Sequence, residues 1–404
     1  RERPPFPAGI ARACRNAMRA PVRRSQPERL QIAGGDVVEA RGVDRRPVPV
    51  QADEQALDRV TQFVDRIEAH AACADQLGVA AASPEHRRQP AAERLDQGVG
   101  AGIVEARRQI GVMLAEEPYL RDEITLVVDV GTNAEIVLGN KNRLLACSSP
   151  TGPAFEGAQI SAGQRAAPGA IERVRIDPET LEVRIQVIGS TLWSDEEGFA
   201  ESIRHCGITG ICGSGIIEAV AEMYLAGVLA ADGVIDGSLA AKSDRLVQHG
   251  RTWSFRLYAG AQEILVTQND VRQIQLAKAA LYAGVKLLMS RAGIRKVDAI
   301  RLAGAFGSHI DAKYAMAIGL IPDCKLDKVS SAGNAAGTGA RIALLNMAAR
   351  NEIETIVRRV EKIETAVEPQ FQQFFVEAMA FPHSVDYFPE LFAVIRKPDA
   401  KDPA

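Results

Sequence analysis

Residues 126–140 read LVVDVGTNAEIVLGN, two apolar stretches with Asp129, Gly131, Thr132 and Asn133 at the turn between them. A plain hairpin turn requires only a glycine beside an asparagine or aspartate. This turn supplies more: a carboxylate for a hydrated cation, and a hydroxyl and backbone N–H groups for phosphate oxygens. Three further glycine-rich turns follow. GICGSG (210–215) holds Gly213, Ser214 and Gly215; LAGAFG (302–307) holds Gly304, Ala305, Phe306 and Gly307; GNAAGTGA (333–340) holds Asn334, Gly337 and Gly339. Glycine lets backbone approach a ligand closely, and the first amides of a helix bind anions without a basic side chain. Each turn alone fits an ordinary connector. Four of them, one carrying an acid, point to a phosphate-and-metal site.

The elements that must position these turns are legible from about residue 112 onward. Strands are predicted over 124–130 and 143–148, with a further hairpin over 173–189 turning at 177–180. A helix opens at Ser214 and runs to about residue 226. Short strands are expected over 254–258 and 263–266. The clearest helix is 268–292, with Thr267 as N-cap, Asp270 at N3 and a stripe of Val271, Ile274, Leu281, Val285 and Leu288. KVDAIRLAGAFGSHIDAKYAMAIGL then reads as strand, glycine turn and short helix, and DKVSSAGNAAGTGARIALLN as another glycine turn feeding a helix. Strands first and then alternating helix and strand predict an α/β domain with a mixed sheet.

Composition sets the outer limits. A net charge of -3 with 25% charged and 47% hydrophobic residues gives no field for nucleic acid and fits a globular chain. No apolar run reaches the roughly 18 residues of a membrane span, and the first residues lack the apolar core of a secretory signal. Cys14, Cys73, Cys147, Cys206, Cys212 and Cys324 are scattered without a C-x-x-C pair, as reduced thiols of a cytoplasmic protein would be. The six histidines show no metal spacing, and Trp193 and Trp253 read as packing residues. Residues 1–110 differ in kind: 18 Arg and no Lys, rich in Ala and Pro. Apart from a helical pattern over 53–70, they fit either a poorly ordered extension or a mis-started, frame-shifted reading frame.

The order of the four turns is similar to nucleotide-binding domains of the acetate and sugar kinase, heat-shock and actin superfamily. More closely, DVGTNAEIVLGNKNRLLACSSPTGPAFEGAQI, GICGSGIIEAVAE, RLAGAFGSHID, IGLIPD and GNAAGTGARIALL resemble the C-terminal ATPase domain of reductive activators of corrinoid proteins, over residues 111–385 and ending with FVEAMAFPH. The resemblance implies an actin-like, ribonuclease H-like fold, a C-terminal tail over 386–404, and ATP with Mg²⁺. It also implies a corrinoid methyltransferase protein as partner, whose cob(II) is reduced to cob(I) at the cost of ATP, and it admits a homodimer. Asp129 would be the metal-holding, catalytic acid, and Gly131, Thr132 and Asn133 would face phosphates. Gly304, Ala305, Phe306 and Gly307 would approach the adenosine, although Phe306 equally fits core packing. Gly213, Ser214 and Gly215 would meet phosphate or ribose, and Asn334, Gly337 and Gly339 would form the hinge helix between lobes. No residue stands out as a general base; Glu135 is near in sequence. Two features of the family are missing from the pattern. The cysteines do not group as for its 2Fe-2S domain, and residues 1–110 hold no earlier D-x-G-T loop, so the first lobe reads as incomplete. Two other readings therefore remain: a non-hydrolysing fragment that binds a corrinoid protein, and a small-molecule kinase.

Overall fold

Three glycine turns reach one place because the strands before them run parallel and end in register. The computed structural model describes residues 109–398 except 261 and 308, and only the backbone of Ala305 and Phe306. The described residues belong to the compact unit Arg66–Ala404. The Arg-rich segment up to residue 108, with its predicted helix over 53–70, lies outside the described residues.

A helix over 109–116 leads into strands β1 (Thr125–Asp129), β2 (Ala134–Gly139) and β3 (Leu144–Ser149). The hairpin β4 (Ala170–Ile176) and β5 (Val183–Val187) follows, then the short β6 (Gly210–Ile211) and helix α1 (Gly213–Leu225). Strands β7 (Leu246–His249), β8 (Thr252–Tyr258) and β9 (Ile264–Thr267) form a separate antiparallel sheet ahead of helix α2 (Gln268–Ala292). The chain continues through β10 (Ala299–Ala303), β11 (Val329–Gly333), α3 (Ala335–Leu345), α4 (Met347–Arg359), β12 (Val360–Ile363) and α5 (Pro369–Glu377).

The main sheet has the order β11-β10-β1-β2-β3-β12. β1, β10 and β11 are mutually parallel, with Asp129 beside Ala303 and Ala303 beside Gly333, so their C-terminal ends share one edge. β2 runs antiparallel between β1 and β3. Side chains alternate across this sheet, as the pleat requires. Leu126, Val128, Ile136, Leu138, Leu145 and Cys147 enter the larger core. Val127, Val137, Leu144 and Ala146 enter a second core with Val112, Met113, Ala335 and Ile356.

Helix α2 is the shaft of the larger core. It starts on the predicted capping box, in which Thr267 Oγ1 accepts the Asp270 N–H and the Asp270 carboxylate accepts the Thr267 N–H at 2.8 Å. All five residues of the predicted stripe are buried, and so are Gln275, Lys278 and Gly284. A Cβ on Gly284 would lie 2.7 Å from Ile136 Cδ1, which explains a glycine in mid-helix where the sheet is closest. On another face of α2, Lys278 donates to the carbonyls of Ala380 and Pro382, and burial holds its ammonium well below the ordinary lysine value. Tyr282 and Lys286 both donate to Asp386. Beyond residue 385, Phe388 and Leu391 are buried as well.

His383 sits in this docked segment, 8% exposed, with its ring 4.7 Å from that of Tyr282. Its Nδ1 accepts the N–H groups of Val385 and Asp386, so Nε2 carries the proton of the neutral ring. Burial pushes its pKa from 6.5 down to about 4; Asp386 opposes this, while Lys278 and Lys286 reinforce it. The folded protein thus binds the second ring proton, the one that charges the imidazole, less tightly than the unfolded chain. The stabilisation is complete above pH 6.5 and is lost as pH falls through about 4. Urea unfolding is expected to show about 3 kcal/mol less stability from this group at pH 4 than at 6.5. His383→Asn, which keeps an acceptor for both N–H groups, should flatten the profile in that window. An unchanged slope in that variant would sink the assignment.

Candidate functional site

The shared strand edge opens on a cavity of about 800 Å³. It is lined by Asp129 to Thr132, by Gly213 and Ser214 at the start of α1, by Gly304 after β10, and by Asn334 after β11. All four glycine turns therefore contribute a wall, three through the sheet register and the fourth through α1. Ligands commonly bind at the carboxyl ends of parallel strands, where successive chain segments diverge.

The Asp129 turn is held by its carbonyls. Thr151 Oγ1 donates to the carbonyls of Gly131 (2.6 Å) and Thr132 (3.0 Å), and the Gly152 N–H donates to that of Thr132 at 2.9 Å. The Val130 N–H is tied to the Ala303 carbonyl at 3.0 Å. Among the described residues, no backbone acceptor takes the N–H of Gly131 or Thr132. The Thr132 hydroxyl donates to Glu156 Oε1 at 2.7 Å. Gly304 adopts φ +94°, and a Cβ there would lie 2.5 Å from Asp129 Oδ1. Helix α1 begins without a side-chain cap and without an acid in its first turn, which leaves the positive end of its dipole at the cavity wall.

The remaining predicted site residues have other neighbours. Asn133 is exposed and outside the cavity lining. A Cβ on Gly215 would lie 2.2 Å from the Ile171 carbonyl, so this glycine seats α1 on β4. Gly307 packs beside Leu302 and Val130. Asn334 caps α3 by accepting the Gly337 N–H at 2.9 Å, and Gly337 leaves room for that side chain. Gly339 lets α3 cross the helix over 109–116, where its Cβ would meet the Gly111 carbonyl at 1.9 Å. The side chains of Ala305 and Phe306 lie outside the described residues. Glu135 is buried and accepts from Gln109 (2.8 Å) and Ser148 (3.3 Å), away from the cavity.

The family model described as the C-terminal domain of RACo, the ASKHA domain, matches residues 123–392. The chain belongs to this family. The corrinoid activation enzyme RamQ of Eubacterium limosum is 34% identical over 275 residues, covering 65% of this chain and 44% of that protein. The Co(II) methylated amine-specific corrinoid protein reductase of Methanosarcina barkeri is 27% identical over 283 residues, covering 67% of this chain and 48% of its own. A solved reductive activator for corrinoid, iron-sulfur protein is 35% identical with a TM-score of 0.59, over 69% of this chain and 42% of that one. The chain spans about half the length of the curated relatives it matches. Its fold is the actin-like ASKHA α/β fold with mixed sheets that the glycine turns predicted.

Several cavity residues of this RACo-type domain escaped the sequence reading: Phe155, Glu156, Arg165, Glu172 and His309. They come from the segment between β3 and β4, from β4 itself and from the chain after β10, and only the fold brings them to one cavity with Asp129. Among the described residues, no group of three or more His, Cys, Asp or Glu is arranged to hold a metal ion. A hydrated Mg²⁺ needs no such cage, because it keeps several waters and takes one or two carboxylates with substrate phosphates. The described cysteines are free thiols. Burial pushes Cys147 far up and Cys324 up to about 11, so neither is a thiolate at neutral pH. Trp193 lies under the guanidinium of Arg175 at 5.2 Å, and Trp253 packs on the larger core. No helix among the described residues is long and apolar enough to cross a membrane.

Proposed function

We propose that this chain supplies the nucleotide-binding part of an ATP-dependent activator that returns a corrinoid protein from cob(II) to cob(I). The observation that carries the reading is the convergence of Asp129, the Gly131–Thr132 amides, the uncapped start of α1 and the Gly304 turn on one cavity of about 800 Å³. Three relatives, each named for activating or reducing a corrinoid protein, support the partner. Asp129 holds the hydrated Mg²⁺. Because Glu156 receives the Thr132 hydroxyl, phosphate recognition falls to backbone N–H groups, which donate without a change of protonation. When bound, Mg²⁺–ATP supplies the free energy that an uphill electron transfer requires, and the electron itself comes from a donor outside the described residues. Differential affinity of the nucleotide for two arrangements of the chain is the only means by which its binding can bias the corrinoid partner.

Calorimetry of the full chain with ATP and Mg²⁺ tests this. The unaltered protein is expected to bind in a Mg²⁺-dependent manner, and Asp129→Ala to bind at least about 100-fold more weakly, since even outer partners of a metal ligand are worth 10–100-fold. Equal binding by both proteins would remove Asp129 from the site. Absence of binding in the unaltered chain would remove the nucleotide from the reading.

A further inference from the structure

Arg165 is the one guanidinium or ammonium among the described residues lining the 800 Å³ cavity, which the carboxylates of Asp129, Glu156 and Glu172 also line. It makes no ion pair or hydrogen bond with any of them. Its backbone, by contrast, is clamped. Gly163 bridges to Ile211, the Gln164 N–H donates to the Ile211 carbonyl at 2.9 Å, and Gln164 Nε2 donates to Thr209 Oγ1 at 3.0 Å. On the other side, the Gly169 N–H donates to the Ile188 carbonyl at 2.9 Å. An exposed side chain therefore stands on a fixed base.

The clamp also relates Arg165 to a neighbour of the Asp129 turn. A Cβ on Gly157 would lie 2.7 Å from the Gln164 carbonyl, so the backbones at 157 and 164 touch. Glu156 and Arg165 each lie one residue beyond that contact. Glu156 in turn receives the Thr132 hydroxyl at 2.7 Å. The backbone at Arg165 is thus placed near Glu156, whose carboxylate is bonded to the Asp129–Thr132 turn.

Resting on the nucleotide reading above, the geometry points to Arg165 as the residue that holds the outermost phosphate and makes the cavity prefer a nucleoside triphosphate over a diphosphate. A triphosphate entering a cavity with three carboxylates requires countercharge, and the backbone amides supply only partial charges. Mg²⁺ at Asp129 is one source, and Arg165 is the fixed one. A guanidinium offers paired donors that match two phosphate oxygens, which a lysine ammonium does not. The lack of a partner among the described residues is then explained: the group is kept open for an anion that arrives and leaves with the nucleotide.

Titration of the full chain with ATP and with ADP, each with Mg²⁺, tests this in the unaltered protein, Arg165→Gln and Arg165→Lys. Arg165→Gln is expected to weaken ATP about 10- to 100-fold, the worth of a hydrogen bond to a charged group, and ADP less than about threefold. Arg165→Lys should fall between, keeping the charge but losing the paired geometry. Thermal melts should coincide, because the side chain is exposed and bonded to none of the described residues. Unchanged ATP affinity in Arg165→Gln, or equal weakening of ATP and ADP, overturns the inference while leaving the nucleotide reading in place. An unaltered chain that binds neither nucleotide overturns both.

Discussion

Glu218→Ala is expected to lower the unfolding free energy by about 2–4 kcal/mol, the cost of lost hydrogen bonds to a charged group and of a buried N–H left unsatisfied. Glu218 is 1% exposed on helix α1, and its carboxylate takes the Arg173 and Arg175 guanidinium groups, each at 2.8 Å, and the Val174 N–H at 2.9 Å. The N–H bond is the least replaceable. Strand β4 pairs with β6 only at Ala170 and Ile171, so farther along its edge faces α1 instead of a strand. One helical turn on, Glu222 accepts the Ile176 N–H at 3.0 Å in the same way. Two carboxylates at i and i+4 thereby stand in for a missing strand. Both arginines are partly exposed and regain water when the carboxylate is lost. The Val174 amide, buried, does not. Glu218→Gln keeps one acceptor and should cost less, about 1–2 kcal/mol. Urea unfolding followed by circular dichroism measures both. A loss below about 1 kcal/mol for the alanine variant would show that water replaces the carboxylate at the strand edge.

The sequence made the glycine turns and the long helix legible because each carries its own local signal. The capping box at Thr267 and Asp270 and the turn at 177–180 rest on neighbours in the chain, and the structure has them at those residues. Strand β7 and strand β12 were not legible. β12 is a four-residue strand, VEKI, whose only buried residue is Ile363, and it joins the sheet by pairing parallel with β3 across more than 200 residues. Local pattern cannot announce such a partner. Lys278 escaped for a related reason. A lysine in mid-helix reads as solvent-facing, yet two carbonyls from the segment after residue 379 satisfy it in the core.

The cavity divides along the same line. Asp129, Gly131, Thr132, Gly213, Ser214, Gly304 and Asn334 announce themselves by residue type at a turn, and all seven line it. Glu156, Arg165 and Glu172 do not, because an exposed acid or arginine between elements, or a half-buried acid within a strand, has no signature of its own. Their placement depends on backbone contacts such as that between Gly157 and Gln164, which no periodicity encodes. Gly215, Gly337 and Gly339 show the converse. A glycine at a helix start has a reading as ligand contact and a reading as close packing, and for these three the neighbours within reach of a Cβ are protein atoms.

Gly304→Ala separates those two readings at the residue where both apply, and it is expected to cost about 2–5 kcal/mol of stability and most of the Mg²⁺-dependent nucleotide binding. Part of the cost is backbone, since φ +94° disfavours any residue with a Cβ. The rest is crowding: the added carbon would lie 2.5 Å from Asp129 Oδ1 and 2.7 Å from the Val130 carbonyl. The carbonyl cannot retreat freely, because the Val130 N–H is bonded to Ala303 on the neighbouring parallel strand. The carboxylate must move instead, and it is the group assigned to the metal. Gly333→Ala is the matched control, at the end of the adjacent strand with φ +57° and nothing within 4 Å of the added carbon. It should bear only the backbone cost, about 1–2 kcal/mol, and keep its nucleotide affinity. The difference between the two variants isolates the approach of the β10 turn to Asp129. Variants that melt and bind alike would mean that Asp129 can shift without consequence, and that the metal is held elsewhere in the cavity.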